Sequence, residues 1–334
     1  MQRSIVLSGL RPTVLPVLMP GLVTAVVVAF AATFVSEHYG GPQFLYALLF
    51  GMAFNFLADE PRSKPGIDFA GRQVLRFGVA LLGVRITLVQ IAALGVTPVV
   101  LVLIGVASTI LFGTWLSRLL RRPVTEGVLS GGAVAICGAS AALAISAVLP
   151  RNEHSQRFTL LTVVGVTALS TLAMIVYPAL VELLHFNPHL AGIFLGGTIH
   201  DVAQVVGAGY MISPEAGDTA TFVKLLRVAL LVPVVLILSL LFRGRHDSAK
   251  APMFPTFLVG FVVLLILNSV GLVPKHAGDM LSALSRWCLV AAISAIGVKT
   301  SFRDLRELGW QPVLMMVTET LFLALLIGAG LLML

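Results

Sequence analysis

Apolar residues in this chain come in long blocks rather than in strict alternation. Eleven blocks, near residues 12–34, 42–58, 69–88, 95–117, 125–149, 157–180, 189–211, 219–242, 255–272, 279–298 and 311–333, are each about long enough to cross a ~30 Å hydrocarbon core as a helix. Turn residues separate several of them: Gly40-Gly41-Pro42, Pro61, Pro65-Gly66, Asn187-Pro188 and the stretch from Pro252 to Pro255. The pattern predicts an all-α, polytopic membrane protein of about eleven transmembrane helices. The polar connections reach about a dozen residues, too few for a soluble domain. The first block, after Arg11, exceeds a signal-peptide core and is expected to be retained.

One block breaks the apolar rule at its centre. Gly196–Gly209 reads GGTIHDVAQVVGAG, which puts His200 and Asp201 near mid-membrane. A carboxylate at that depth costs at least ~2.5–3.5 kcal/mol on insertion scales, so it faces protein, a water-filled cavity or a partner. Gly197, His200, Gln204 and Gly207 recur at three- and four-residue spacing, giving one small, polar helical face. Glycines alone on that face would read as close helix packing. His, Asp and Gln together read as a functional site, with Asp201 and His200 as the titrating groups.

Composition agrees with the pattern: of 334 residues, 58% are hydrophobic and 11% charged, and mean hydropathy is +1.01. The net charge of +7 comes without a basic patch interleaved with aromatics, so it does not point to nucleic acid. It fits the positive-inside rule instead. With eleven crossings and a cytoplasmic N-terminus, fourteen Lys or Arg fall inside: Arg3, Arg11, Arg62, Lys64, Arg72, Arg118, Arg121, Arg122, Arg243, Arg245, Lys250, Lys299, Arg303 and Arg306. Four fall outside: Arg85, Arg151, Arg157 and Lys275. The C-terminus is then external. The two cysteines, Cys137 and Cys288, lie in apolar blocks and indicate neither a disulfide framework nor a metal site.

Short echoes suggest internal symmetry. Leu75–Leu82 resembles Leu226–Leu231, Pro42 with Phe50-Gly51 resembles Pro188 with Leu195-Gly196, and Ala144–Ala147 repeats as Ala292–Ala295. Each pair is five helices apart, and an odd displacement inverts orientation. The organisation expected is an extra N-terminal helix (1–40) and two inverted five-helix repeats (41–183 and 184–334). A rival register, matching Pro42 through Pro61 to Pro255 through Pro274 and Leu94-Gly95 to Leu308-Gly309, shifts by seven helices. It is also inverted.

The fifth block holds Ser130-Gly131-Gly132-Ala133-Val134-Ala135-Ile136-Cys137-Gly138-Ala139-Ser140. Each glycine costs a helix interior ~1 kcal/mol against alanine, so an interruption near Cys137-Gly138 is expected. The half-helix beginning there would aim free N–H groups and a positive dipole end at mid-membrane, a setting for an anion at Gly138, Ala139 and Ser140. A continuous, tightly packed helix is the alternative. Lys224 and Arg227, one turn apart, and Arg76 are expected by default to snorkel to an interface. As symmetry mates, Arg76 and Arg227 are also candidates to supply positive charge to the site. Arg286 should snorkel, Asn55 and Asn268 should bond neighbouring helices, and Glu319 is a lone acid suited to protonation or to bonding a hydroxyl.

Leu75–Arg85, Gly131–Ala141 and above all Gly196–Gly209 carry a resemblance over nearly the whole chain to the YeiH-type sulfate-exporter family of bacterial inner-membrane proteins. That family is similar to the bile-acid symporter and cation/proton antiporter superfamily. The resemblance implies two inverted five-helix repeats with two broken helices crossing mid-membrane. Carried over, these are the fifth and tenth blocks, although Trp287–Val298 has no glycine pair to mark a break. It implies a multi-pass inner-membrane transporter of a small anion, sulfate or a relative, working by alternating access. The expected partners are H⁺ or Na⁺ and the bilayer, with a homodimer left open and no nucleic acid, cofactor or metal. No nucleotide loop is present, so coupling falls to His200 and Asp201, and substrate binding to Gly138, Ala139, Ser140, Gln204, Arg76 and Arg227. A membrane-embedded enzyme acting on a lipid or peptide is the second class, without an HExxH or GxSxG to carry it. An anion channel is the third.

Overall fold

The computed structural model describes residues 15–150, 153–242, 256–300 and 310–333. Arg3, Arg11, Arg151, Arg243, Arg245, Lys250, Pro252, Pro255, Arg303, Arg306 and Leu308-Gly309, used above, lie outside the described residues.

The described residues form helices and turns, with no strand among them. In chain order these are α1 (Leu15–Tyr39), α2 (Gln43–Ala53), α3 (Lys64–Phe69), α4 (Leu75–Leu81), α5 (Leu88–Ala93), α6 (Thr97–Leu119), α7 (Val124–Ala135) and α8 (Ala139–Ser146). There follow α9 (Glu153–Leu183), α10 (Pro188–Thr198), α11 (Val202–Ile212), α12 (Pro214–Ala229), α13 (Leu231–Leu241), α14 (Thr256–Ser269), α15 (Lys275–Lys299) and α16 (Trp310–Leu332). Among the described residues, six stretches are long and apolar enough to cross a membrane: Pro16–Tyr39, α6, α9, Pro214–Leu241, α15 and α16. The chain divides into two compact units, residues 1–79 with 283–300, and residues 80–282 with 301–334.

In the first unit, Ala25, Ile67, Ala70, Ala295 and Val298 form one buried cluster. Gly21 meets Gly66, and Gly51 meets Gly297, so closely that a Cβ on Gly21 or Gly51 would lie 2.7 or 2.9 Å from the partner's Cα. Such contacts hold helices together where lipid tails are as apolar as the side chains. Asn55 Nδ2 donates to Val298 O at 2.7 Å, the inter-helix bond its sequence position suggested. Arg286 does not snorkel: its Nε and Nη2 donate to Gln43 Oε1 at 2.9 and 2.6 Å. A partner within the unit outcompetes the interface.

The second unit corrects the expectation that residues 125–149 and 189–211 cross the bilayer. α7, α8, α10 and α11 have 12, 8, 11 and 11 residues. At 1.5 Å per residue the longest is ~18 Å, short of a ~30 Å core. α10 and α11 fold back on each other. Gly192 on α10 and Gly209 on α11 both pack on α12 around Ala216, and Ile199 and His200 at the turn lie beside Lys224, further along α12. α10 therefore runs parallel to α12 and α11 returns antiparallel. α7 and α8 do the same, with Ile145 of α8 packed on Gly132 of α7. Thr125, Glu126 and Leu129 line one cavity together with Ser146, Leu149 and Pro150.

The hairpins approach α9 from its two ends. Glu126, at the base of the first, bonds His154 in the first turn of α9 at 2.7 Å. The second follows the end of α9 after Asn187, whose side chain caps Leu190 N at 2.8 Å. α9 is 31 residues long, ~46 Å, so the hairpins point towards each other along it.

The expected break in the tenth block is absent: α15 is one continuous helix over Lys275–Lys299. The second break instead falls at Ile199-His200-Asp201, just after Gly196-Gly197.

Candidate functional site

The two hairpin tips meet near the middle of α9. The first tip is Ile136-Cys137-Gly138, the second Ile199-His200-Asp201. A Cβ on Gly138 would lie 3.6 Å from His200 Cβ and 3.7 Å from Val166 Cγ2 of α9. His200 Nδ1 lies 3.1 Å from Val134 O on the first hairpin. Asp201 N donates to Ser170 Oγ of α9 at 2.9 Å, and Gln204 Nε2 to Thr171 Oγ1 at 3.4 Å.

Each tip ends one helix and starts another. The last carbonyls of α7 and α10 have no intrahelical donor and form the negative ends of two helix dipoles. Two cations from α12 occupy that place. Lys224 Nζ donates to Ile136 O at 2.7 Å, Ile199 O at 2.9 Å and His200 O at 2.5 Å. Arg227 donates from Nε to Ala135 O at 2.8 Å, from Nη2 to Val134 O at 2.8 Å, and from Nη1 to Gly196 O at 3.1 Å and Ile199 O at 2.9 Å. Both are buried, at 0% and 1% exposure, which overturns the expectation that they snorkel. Burying an ion costs several kcal/mol, and seven carbonyl bonds at two helix ends offset it where an interface would offer only water.

The outgoing helices present the opposite sign. α11 begins at Asp201, whose Oδ1 accepts from Ala203 N at 3.0 Å. α8 begins at Gly138, with no side-chain cap. Gly138 has φ +62° and ψ −127°, a backbone region open to glycine and closed to most L-residues. Its N–H turns back to Ala133 O at 2.8 Å, sharply enough to reverse the chain. Ser140 is exposed and Ala139 partly so, leaving the first turn of α8 accessible. Asp201 is also partly exposed and interacts electrostatically with Lys224.

Of the sequence candidates, Gly138, Ala139, Ser140, His200, Asp201, Gln204 and Arg227 gather at or next to the tips. Arg227 is saturated with carbonyls and contributes charge rather than a free donor. Gln204 is buried on α11. Arg76 belongs to the other unit, where it is exposed on α4. The role of Lys224 was missed. Its position one turn from Arg227 was the available signal, but in sequence that pair reads equally well as two snorkelling residues.

α16 closes one side of this site. Thr320 Oγ1 lies 2.9 Å from His200 Nε2, and Glu319 Oε1 accepts from Ser130 Oγ at 2.7 Å. The base of the first hairpin is fixed by Arg122, which donates to both oxygens of Glu126 at 2.7 and 3.0 Å. The base of the second is fixed by Asp218, which pairs with Arg85 at 3.5 Å and accepts a hydrogen bond from Tyr210.

Comparison with known proteins places these residues in a family. The family profile described as conserved hypothetical protein 698 matches residues 20–316. A UPF0324 membrane protein of Chlorobaculum tepidum is 56% identical over 313 residues, covering 92% of this chain and 87% of the relative. One from Rhizobium meliloti is 53% identical over 316 residues, covering 93% and 92%. The UPF0324 membrane protein TauZ of Paracoccus pantotrophus is 52% identical over 318 residues, covering 93% and 94%.

Proposed function

This chain belongs to the UPF0324 family of membrane proteins, the YeiH-type group, and from that premise we propose that it is a secondary transporter of a small anion. One observation carries the reading. The uncapped, accessible N-terminus of α8 sits against the middle of α9, beside two buried cations. Lys224 and Arg227 bring two positive charges to the tips, and Asp201, the carboxylate at the tips among the described residues, already caps α11. The remaining positive potential and the N–H groups of Ala139 and Ser140 suit an anion such as sulfate. Gly138 lets it approach the backbone closely.

Alternating access follows from the paired hairpins. Each tip reaches mid-depth from one side, so parting one hairpin from the core opens the site to that side alone. Asp201 and His200 remain the coupling candidates, one partly exposed and one buried between both hairpins. Because they share the tips with the anion, proton or cation binding there is felt by the substrate.

The hairpins also refine the topology, with the protein in a bacterial inner membrane, its N-terminus cytoplasmic and its C-terminus periplasmic. A hairpin returns to its own side, so the segment between α8 and α9 lies with the end of α6. Arg151 and Arg157 then join the cytoplasmic set, turning a fourteen-to-four split into sixteen to two. Both hairpins reverse the chain, so the two termini keep their predicted sides.

The test is transport by purified protein in liposomes. Labelled sulfate should accumulate against its gradient when a proton or sodium gradient is imposed. Purely downhill flux would make the protein a channel, and lipid turnover without flux would make it an enzyme.

A further inference from the structure

Glu319 is a fully buried carboxylate outside the tips. Ser130 of α7 donates to its Oε1 at 2.7 Å, while Oε2 has no hydrogen-bond partner. Thr109 Oγ1, on α6, is a second buried atom with no partner. α6 packs directly on this carboxyl, since a Cβ on Gly113, one turn from Thr109, would lie 2.6 Å from Glu319 Oε1. An ionised carboxylate accepts on both oxygens, and one left bare in a dry interior is costly. A proton resolves this. It removes the charge, and on Oε1 it makes a donor for which Ser130 Oγ, 2.7 Å away, is the acceptor.

We propose that Glu319 is a proton-binding site whose occupancy is transmitted to both hairpin tips. Ser130 lies in the helix leading to the first tip, so gaining or losing the proton changes what its hydroxyl faces. Thr320, the next residue, lies 2.9 Å from His200 Nε2 at the second tip and 2.7 Å from Met316 O. Its single hydroxyl hydrogen can serve either acceptor, so it senses a change on α16. The step is simple: one carboxylate takes one proton from water and later returns it.

Among the described residues, the elements packed around Glu319 carry the following titratable and charged groups. His200 is reached through Thr320. Arg122, Glu126 and His154 form the cluster at the hairpin base, with Arg157 beside them. Lys224 and Arg227 lie beyond the tips. α6 carries Arg118 at its end, and α10 carries His189 at its start. That the bound proton is one the protein moves rests on the transporter reading; the binding itself does not.

Infrared difference spectroscopy on the purified protein tests the site without any transport assay. Stepping the pH from alkaline to acid should raise the carbonyl band of a protonated carboxyl that is missing from Glu319→Gln. In Ser130→Ala, which keeps the carboxyl, the midpoint of that band should move. Superimposable wild-type and Glu319→Gln spectra throughout would overturn the proposal, as would an unmoved midpoint in Ser130→Ala. In liposomes, Glu319→Gln should lose proton-driven accumulation and keep exchange. If the band is present while the wild type transports nothing, the proton site stands and the transporter reading falls.

Discussion

Gly138 and Asp201 hold the same station in the two hairpins: each is the N-cap of the helix leaving its tip, and Asp201 alone caps with a side chain. This asymmetry identifies which tip is free to take an anion. It also separates the two residues experimentally, because one is fixed by its backbone and the other by its charge.

Gly138→Ala should lower stability by ~1–3 kcal/mol, the range for a residue held in a disfavoured backbone region. The added methyl meets only ordinary contacts, the nearest at 3.6 Å, so strain and not overlap sets the cost. Thermal unfolding in detergent measures it. An unchanged transition would mean that the tip relaxes freely.

Asp201→Asn should keep the cap of α11, since Asn caps a helix about as well as Asp. Coupled accumulation should nevertheless fall to background, because the neutral amide cannot bind and release a proton or hold a cation. Exchange of labelled for unlabelled substrate is expected to survive. Wild-type accumulation by this variant would leave Asp201 as a cap and nothing more.

Arg227→Lys should destabilise despite keeping the charge. A planar guanidinium spans Val134 and Ala135 on one hairpin and Gly196 and Ile199 on the other; a compact ammonium cannot. Each carbonyl left bare in the interior costs ~1–3 kcal/mol. The comparison is by thermal unfolding against wild type, and equal stability would show that the clamp is dispensable.

Topology gives a direct test of the hairpins. In a background lacking Cys137 and Cys288, cysteine at Arg121 and at Glu153 should react with an impermeant thiol reagent from one side. Cysteine at His185 and at Glu215 should react from the other. Opposite-side labelling within either pair would restore full crossings at residues 125–149 or 189–211.

The class of the protein and the interruption near Cys137-Gly138 were legible in the sequence, because block length and clustered glycines have direct physical consequences. The fold-back was not. A 25-residue apolar block satisfies the same length test whether it crosses or reverses, and the reversal depends on contacts with α6, α9 and α12. Two signals were nonetheless present. Gly131-Gly132 and Gly196-Gly197 each precede an isoleucine and the chain reversal. Arg151 and Arg157, half of the exceptions to the charge split, sit just after the first hairpin. The tenth block was assigned a break by family analogy, yet without a glycine pair it had no local reason to open. Lys224 was misjudged because snorkelling is the rule for a lone lysine, and only the carbonyls of both tips together make burial favourable.

The central claim is that the start of α8 binds the anion through its backbone. Ala139→Pro deletes one N–H at the first helical position, where proline fits the helix. Sulfate titration by calorimetry on the folded variant, with thermal unfolding measured alongside, should give affinity weakened ~10-fold or more. That is ~1.4 kcal/mol or above, as for one hydrogen bond to a charged group. Wild-type affinity in a folded Ala139→Pro protein would contradict the account and move the anion away from this helix.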